Sequence, residues 1–233
     1  MKKSPPMSDQ TPPVELSTLL AGNIHEVKNL LGQLFLALDE ASVTAQSDCP
    51  KLAQRLVEMR LTGRRVHDRL LHILTVYKAE SGFFEANLDA YDPADIVEDL
   101  VLEAKSLAAT RLSIEGRSDA PASWYLDRYL VESALTNALH NSLRHAATRI
   151  SLSAREDDGY LVLSVEDDGR GFPAQLLEGG MQPLHNGGQG STGLGLYFSR
   201  TAAAAHTNKS KAGFVKIGNG GALGGAVFSL WLP

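Results

Sequence analysis

Two long stretches of the chain carry apolar residues at alternating steps of three and four, and this pattern constrains the fold most. Within residues 14–46 the apolar seam consists of Leu20, Ile24, Val27, Leu31, Leu34 and Leu38. The second seam consists of Leu52, Leu56, Met59, Gly63, Val66, Leu70, Ile73 and Tyr77. Such steps place each set along one side of an α-helix. Because Ser47-Asp48-Cys49-Pro50 interrupts the pattern, the sequence predicts an antiparallel helical hairpin.

A single hairpin cannot cover this much apolar surface. Leu19, Leu30 and Phe35 widen the first seam beyond the stripe that a two-stranded coil needs. Two copies paired into a four-helix bundle would bury both seams. The sequence therefore predicts a homodimer formed through residues 14–82, with the second helix ending at Ser81-Gly82.

After Gly82 the pattern changes to short strands mixed with helices, which predicts a second domain over residues 83–233. The predicted strands cover 85–91, 111–116, 122–125, 148–155, 160–167, 212–218 and 225–232. The predicted helices run from Pro93 to about 109, over 127–146, and from about 193 to 206. Residues 172–191, rich in glycine and polar residues, are predicted as a long loop. We expect a multidomain α and α+β protein whose second domain packs helices on one face of a mostly antiparallel sheet.

Composition narrows the classes of function. Residues 1–13 contain four prolines among polar residues and are predicted to be a disordered lead-in. A net charge of −5 disfavours nucleic acid as a partner. The single cysteine, Cys49, excludes an internal disulfide and fits a reducing compartment. Since no run of 18 apolar residues and no signal peptide is found, we expect a cytoplasmic protein without a membrane span.

Two asparagines on one predicted helix indicate a site for magnesium and phosphate. Asn137 and Asn141 are four residues apart and therefore share a face. Amide oxygens suit Mg²⁺, which proteins usually share with substrate phosphates. Arg144 and His145 follow one turn later, within reach of phosphate oxygens. A polar, solvated helix face is the alternative explanation.

Two glycine-rich stretches add to this pattern. Asp167-Asp168-Gly169-Arg170-Gly171 ends a predicted strand, where a carboxylate can accept a hydrogen bond from an exocyclic amine such as that of adenine. Gly190-Ser191-Thr192-Gly193-Leu194-Gly195 leads into a predicted helix, whose free N–H groups favour phosphates. Each stretch alone is also compatible with an ordinary turn, but their order and spacing indicate a nucleotide pocket.

In these motifs the chain resembles two-component sensor histidine kinases over residues 15–233. His25-Glu26-Val27-Lys28-Asn29 resembles the H box of that family, and Asn137–Asn141 resembles its N box. Asp167–Gly171 and Gly193–Leu196 resemble the G1 and G2 boxes. The resemblance implies a hairpin for dimerisation and phosphotransfer, followed by an ATP-binding domain of the GHKL (Bergerat) type.

The resemblance also implies a set of functional residues. ATP and Mg²⁺ are the expected cofactors, with Asn141 helping to bind Mg²⁺ and Asp167 recognising adenine. The loop 172–192 is expected to be a mobile ATP lid. The residues expected to contact the nucleotide are Asn137, Asn141, Arg144, His145, Asp167, Gly169, Gly171, Thr192, Gly193, Leu194 and Gly195.

His25 is the expected phosphoacceptor, because an unprotonated imidazole nitrogen is available near neutral pH. Glu26 can take its proton or fix its tautomer. Asn29, one turn later, is expected from the resemblance to orient water for dephosphorylation of the partner. The expected reaction passes the γ-phosphoryl group of ATP to His25, and then to an aspartate in the receiver domain of a response regulator.

The chain departs from the family pattern in three ways. Leu30 stands where the family often has proline, and no Lys or Arg lies from Ala174 through Ser199. The pattern predicts no sensor or receiver domain within these residues, so we expect the signal to arrive through a separate sensor protein or through an upstream region that is missing from this chain. Two alternatives remain: a histidine phosphotransfer protein with a degenerate ATP domain that does not bind nucleotide, and a serine kinase of the anti-sigma type.

Overall fold

The computed structural model describes residues 16–82, 84–108, 112–178 and 193–233, with side chains from Asn29 onward in the first helix. These residues form two compact units that meet in sequence at Arg69 and Leu70. The predicted disordered lead-in and most of the predicted loop 172–191 lie outside the described residues.

Two helices, α1 (Leu16–Asp48) and α2 (Pro50–Glu80), meet at Cys49, and the first unit is built from α1 and the part of α2 up to Arg69. Both predicted helices are thus present. Their contacts are those of antiparallel neighbours. Asp39 forms an ion pair with Arg60, and Ser42 Oγ donates to the carbonyl of Ala53 over 3.4 Å.

Phe35 of α1 packs closely against α2. Its ring lies edge-on to that of His67, with centroids 6.3 Å apart. A Cβ added to Gly63 would lie only 2.7 Å from Cε1 of Phe35. Gly63, which occupies a seam position in the sequence, therefore allows close packing rather than supplying apolar surface.

Much of the apolar seam remains exposed in a single chain. The exposed fractions are 57% for Leu30, 48% for Leu34, 60% for Met59 and 51% for Val66. Such a row of large apolar side chains is typical of a surface that another chain covers.

The second unit contains nine strands and four helices beyond α2 among its described residues. The helices are α3 (Pro93–Leu107), α4 (Arg128–His145), α5 (Ala174–Glu178) and α6 (Leu194–Ala204). The strands are β1 (Asp89–Tyr91), β2 (Ser113–Asp119), β3 (Trp124–Leu126), β4 (Arg149–Asp157), β5 (Tyr160–Asp167), β6 (Thr207–Asn208), β7 (Lys211–Ala212), β8 (Phe214–Asn219) and β9 (Ala226–Leu232).

The main sheet has five strands in the order β2-β4-β5-β9-β8. Only the pairing of β2 with β4 is parallel, and the other three pairings are antiparallel. The sheet is therefore mixed but mostly antiparallel, as predicted. β1 with β3, and β6 with β7, form separate two-stranded pairs.

Helices α3, α4 and α6 supply the apolar residues that cover one face of this sheet, which gives the predicted α/β sandwich. The largest fully buried side chains in this core are Phe198, Ile96, Leu126, Leu135, Leu139, Ile150, Leu152, Leu161, Leu163, Leu230 and Leu232. The last turns of α2 belong to the same unit. There the ring of His72 stacks on Phe198 at 3.8 Å, and the Tyr197 hydroxyl donates to Glu80 over 2.6 Å.

Local sequence signals set several element ends. Asp92 caps α3 by accepting from Ala94 N at 2.8 Å, with Pro93 as the first helical residue. The hairpin between β4 and β5 turns at Asp158 (φ 51°) and Gly159 (φ 68°). Positive φ at both positions is typical of a two-residue type I′ turn, as Asp-Gly predicts.

Some predicted boundaries were wrong. The predicted strand 85–91 is reduced to β1, because its partner β3 has only three residues and Asn87 N instead donates to the Asp127 carboxylate. The predicted strand 122–125 is β3, and the helix expected to reach about 109 ends at Leu107. The predicted loop 172–191 contains α5, whose first turn closes on the carbonyl of Pro173. The small β6–β7 hairpin was not predicted.

Candidate nucleotide-binding site

Asp167 is a buried carboxylate at the end of β5, with 2% of its surface exposed. One oxygen accepts from the hydroxyl of Ser142 at 2.8 Å. The other accepts from the main-chain N–H groups of Gly169 at 2.9 Å and Ala226 at 3.3 Å. Donors from α4, from the turn after β5 and from β9 therefore fix the direction of this acceptor.

Glycines allow the backbone to close around Asp167. A Cβ on Gly169 would lie 2.3 Å from the carbonyl oxygen of His145. A Cβ on Gly225 would lie 2.4 Å from the carbonyl oxygen of Asp167. The end of α4 is thereby packed against the Asp-Gly stretch, which places His145 beside Gly169, although the His145 side chain itself is exposed.

Asn137 faces the beginning of α6. A Cβ on Gly195 would lie 3.3 Å from Cγ of Asn137, closer than most contacts of this kind. The Nδ2 atom of Asn137 is buried and has no hydrogen-bond partner within the described part of the chain. A buried amide donor of this kind is a suitable contact for a bound ligand.

The N-terminus of α6 provides a second type of ligand contact. Gly193 is its N-cap and has a left-handed backbone (φ 67°), which glycine adopts without strain. Within the described part of the chain, no side chain caps this helix. The first N–H groups of an α-helix have no partner within the helix, and they attract anionic groups such as phosphates. Leu194 and Gly195 supply the first two helical positions.

The remaining predicted residues lie around these groups or outside the described part. Asn141 and Arg144 are exposed on α4, on the turns after Asn137. Gly171 is the last residue of the stretch Asp167–Gly171 and has a φ of 77°. Thr192 lies outside the described residues.

The predicted phosphoacceptor region lies on α1. His25 and Glu26 belong to this helix, but their side chains are outside the described set. Asn29 is described and is exposed. Asn29 is one turn beyond His25 on the same helix, as expected.

Asp168 was part of the glycine-rich motif, but its role was not predicted. Its carboxylate accepts from Ala147 N at 2.9 Å, Thr148 N at 2.9 Å, Arg149 N at 3.0 Å and the Thr148 hydroxyl at 2.6 Å. Burial alone would raise the pKa of Asp168, but the hydrogen bonds from Thr148, Arg149 and Ala147 outweigh it and hold that pKa well below its usual range. Asp168 thus ties the segment after α4 to the end of β5.

Ser142, Gly225 and Ala226 were also missed as residues that hold Asp167. Ser142 directly follows Asn141, a predicted site residue, so its place in the sequence could have indicated a role in the site. By contrast, Gly225 and Ala226 lie 58 and 59 residues after Asp167, and no local pattern connects them.

The described residues contain no cluster of three or more His, Cys, Asp or Glu side chains that could hold a metal ion alone. Mg²⁺ does not require such a cluster, since it usually takes one or two protein ligands together with substrate phosphates. The exposed amide of Asn141, on the same helix as the buried Asn137, fits this mode of binding.

Comparison with known proteins finds a family match for the part of the chain that carries this site. Residues 126–233 match the model described as histidine kinase-, DNA gyrase B-, and HSP90-like ATPase. The sensor histidine kinase CpxA of Escherichia coli is 32% identical over 121 residues, which are 48% of this chain and 25% of CpxA. The sensor protein kinase PilS of Pseudomonas aeruginosa is 27% identical over 200 residues, or 79% of this chain and 36% of PilS. Residues 126–233 therefore form an ATPase domain of this type, and the chain is similar to sensor histidine kinases.

Solved structures of histidine kinases have a fold similar to that of this chain. The histidine kinase AdeS of Acinetobacter baumannii superposes with a TM-score of 0.56 at 20% identity, covering 89% of this chain and 96% of AdeS. Full-length ShkA in complex with AMPPNP gives 0.66 at 20% identity, covering 93% of this chain and 46% of ShkA.

The chain spans only about a quarter to a third of the length of its curated relatives CpxA and PilS. Among the described helices, none combines the length and the apolar character that a membrane crossing requires.

Proposed function

We propose that this chain is an ATP-dependent protein-histidine kinase that phosphorylates His25 and passes the phosphoryl group to an aspartate of a response regulator. The observation that carries the proposal is the site itself. A fixed buried acceptor, Asp167, a buried amide donor, Asn137, and an uncapped helix N-terminus at Gly193 belong to one ATPase domain.

Asp167 would select the base. Its oxygens are already held by donors from three elements, so the carboxylate keeps its orientation when a ligand arrives. An ionised carboxylate accepts hydrogen bonds but cannot donate them. It therefore favours adenine, which presents an exocyclic amine, over guanine, which presents a carbonyl at that position. Gly169 and Gly171 shape the backbone beside Asp167, because neither position has room for a side chain.

The phosphates would lie toward α6. Gly193, Leu194 and Gly195 present main-chain N–H groups there, and Asn137 contributes its amide. Asn141 would hold Mg²⁺, which when bound neutralises phosphate charge. Arg144, His145 and Thr192 complete the proposed set of phosphate contacts.

Phosphoryl transfer would then be in line. A nitrogen of the His25 imidazole attacks the γ-phosphorus, the bond to the β,γ-bridging oxygen breaks, and ADP leaves. Glu26 accepts the imidazole proton or holds the required tautomer. The catalytic contribution is mainly positioning and charge stabilisation.

The hairpin would form the dimer. The exposed seam residues Leu34, Met59 and Val66, together with the flanking Leu30, support a four-helix bundle between two copies. We place the functional boundary at residues 82–83, where α2 has ended and Gly82 adopts a φ of 75°. A cytoplasmic location, a receiver-domain partner and input from a separate sensor protein are parts of the same proposal.

Asn29 would act in the reverse reaction. Its exposed amide on α1 can orient water toward the aspartyl phosphate of the response regulator. Asn29→Ala is expected to lower phosphatase activity at least tenfold while labelling of His25 changes little. Equal loss of both activities would contradict this role.

The decisive test is incubation with γ-labelled ATP and Mg²⁺. Wild type should acquire acid-labile, alkali-stable label that His25→Ala lacks. His67→Ala, another hairpin histidine, is the matched control and should retain label. Label that survives in His25→Ala would contradict the assignment of the phosphoacceptor.

A histidine phosphotransfer protein is the second candidate. The observation that favours it is the absence of Lys and Arg from Ala174 through Ser199, which leaves no cationic side chain there for the phosphates. Nucleotide titration separates the two candidates, because only the kinase requires ATP binding. A folded wild type that binds no ATP but accepts phosphoryl groups from a phosphorylated regulator would establish this alternative.

A further inference from the structure

Asn219 holds both main-chain groups of the residue that follows the glycine-rich G1 stretch. Phe172 N donates to Oδ1 of Asn219 at 2.6 Å, and Nδ2 of Asn219 donates to the carbonyl of Phe172 at 2.9 Å. Asn219 is the last residue of β8, 47 positions away in sequence. A side-chain amide thus pairs with one peptide group as a neighbouring strand would.

The space for this amide is created by a glycine. Gly171 has a φ of 77°, and a Cβ there would lie 2.6 Å from both Cγ and Oδ1 of Asn219. A side chain at residue 171 would therefore meet backbone strain and a collision with the amide. The two residues are complementary, because the Asn219 amide occupies the space that a side chain at residue 171 would fill.

The loop that begins at Asn219 also holds Asp167. Gly225 N donates to the carbonyl of Asp167 at 3.0 Å, and Ala226 N donates to its carboxylate. Asn219 and Ala226 are direct partners in the β8–β9 pairing. The connection 219–226 therefore contacts the G1 stretch at two places. Ala226 contacts its first residue, Asp167, and Asn219 contacts Phe172, which follows its last residue.

We propose that Asn219 is a positioning residue for nucleotide binding. By fixing Phe172 relative to Asp167, it sets the distance across the G1 stretch and hence the shape of the base pocket. This inference rests on the proposed nucleotide site, but it concerns a residue outside that site. The amide is specific, because only a group with one donor and one acceptor satisfies both the N–H and the carbonyl of Phe172.

Three variants test the proposal. Asn219→Ala removes both hydrogen bonds. Asn219→Asp keeps the size and the acceptor but places a carboxylate oxygen against the Phe172 carbonyl. Asn208→Ala, at an exposed asparagine in β6, is the control. The dissociation constant of a fluorescent ATP analogue with Mg²⁺ is measured well below the unfolding temperature of every variant.

The expected result is a five- to twentyfold rise in the dissociation constant for both Asn219 variants, with the Asn208 control within twofold of wild type. In labelling assays KM for ATP should rise by the same factor, while kcat at saturating ATP stays within twofold. Amide hydrogen exchange at Phe172 should accelerate in Asn219→Ala. A purely structural role would lower the unfolding temperature without this selective change in KM.

The proposal is overturned if both Asn219 variants bind the analogue as wild type does, or if kcat falls while KM is unchanged. Should Asn219→Ala fail to fold, Asn219→Asp still decides, because it retains one hydrogen bond and the side-chain volume. Failure of wild type itself to bind would instead refute the proposed function, so the two failures are distinguishable.

Discussion

Replacement of Asp168 should separate the contribution of its charge from that of its shape. The carboxylate accepts four hydrogen bonds from the consecutive residues Ala147, Thr148 and Arg149, and its side chain is 12% exposed. Asp168→Ala removes every acceptor. In Asp168→Asn, the amide oxygen can take the place of Oδ1 and keep the three main-chain donors, while the amide nitrogen donates to the Thr148 hydroxyl instead.

A hydrogen bond to a charged group contributes about 1.5–3 kcal/mol, but bonds that share one acceptor are far from additive. Water can also reach the three N–H groups once the side chain is gone. We therefore expect Asp168→Ala to lower the free energy of unfolding by about 2–4 kcal/mol, in the range of a broken buried network. Asp168→Asn should cost about 1 kcal/mol, because the charge is lost while the three main-chain donors keep an acceptor and the bond to the Thr148 hydroxyl is reversed.

The charge also gives this site a pH dependence. Because the folded pKa of Asp168 is lowered, its contribution to stability is complete above the ordinary carboxyl pKa of about 4. That contribution is lost as the pH falls from there toward the folded pKa, since the unfolded chain takes up the proton first. The difference in stability between wild type and Asp168→Asn should therefore shrink below pH 4.

Urea unfolding monitored by tryptophan fluorescence is a suitable assay, because Trp124 and Trp231 lie in the same unit as Asp168. Asp157→Asn is the matched control, since Asp157 forms an exposed ion pair with Arg155 and should contribute less than about 0.5 kcal/mol. The reasoning is refuted if Asp168→Ala costs no more than this control, or if Asp168→Asn costs as much as Asp168→Ala.

Three other changes have distinct expected outcomes. Ser142→Ala removes the hydroxyl donor to Asp167 and should weaken ATP binding about five- to tenfold in calorimetric titration, with ADP affected equally. Gly195→Ala should leave thermal stability unchanged or raised, because alanine favours helix, yet crowd Asn137 and lower nucleotide affinity severalfold. Burial lowers the pKa of His206 despite its hydrogen bond to a carbonyl, so stability should fall as pH drops below about 6.5. His206→Gln should flatten that fall between pH 6.5 and 5.5 in urea unfolding.

Elements with short-range signals were predictable from the sequence. The spacing of the apolar seams predicted both helices of the hairpin, and Asp92-Pro93 predicted the start of α3. Asp158-Gly159 gave the turn between β4 and β5. In each case the residues that decide the structure are within about one helical turn or one hairpin of each other, so the sequence displays the interaction directly.

Pairings between distant residues were not predictable. The parallel alignment of β2 with β4 joins Ser113 to Arg149, and nothing local in either strand indicates it. The same limit explains why the predicted strand 85–91 was too long. Its apolar and polar alternation was present, but strand length depends on a partner, and β3 supplies only three residues before Asp127 caps α4.

The candidate site shows the same division between residues that carry chemistry and residues that hold them. Asp167, Asn137 and Gly193 were predicted as site residues because their types suit a nucleotide and their motifs have regular spacing. Ser142, Asp168 and Asn219 have no such mark, since a serine, an aspartate or an asparagine is common in turns and on exposed helices. Their roles come from contacts 25, 20 and 47 residues away. Because Ser142, Asp168 and Asn219 hold the Asp167 carboxylate or the backbone next to it, we expect variation in nucleotide affinity among related chains to depend on these supporting residues as well as on the motifs.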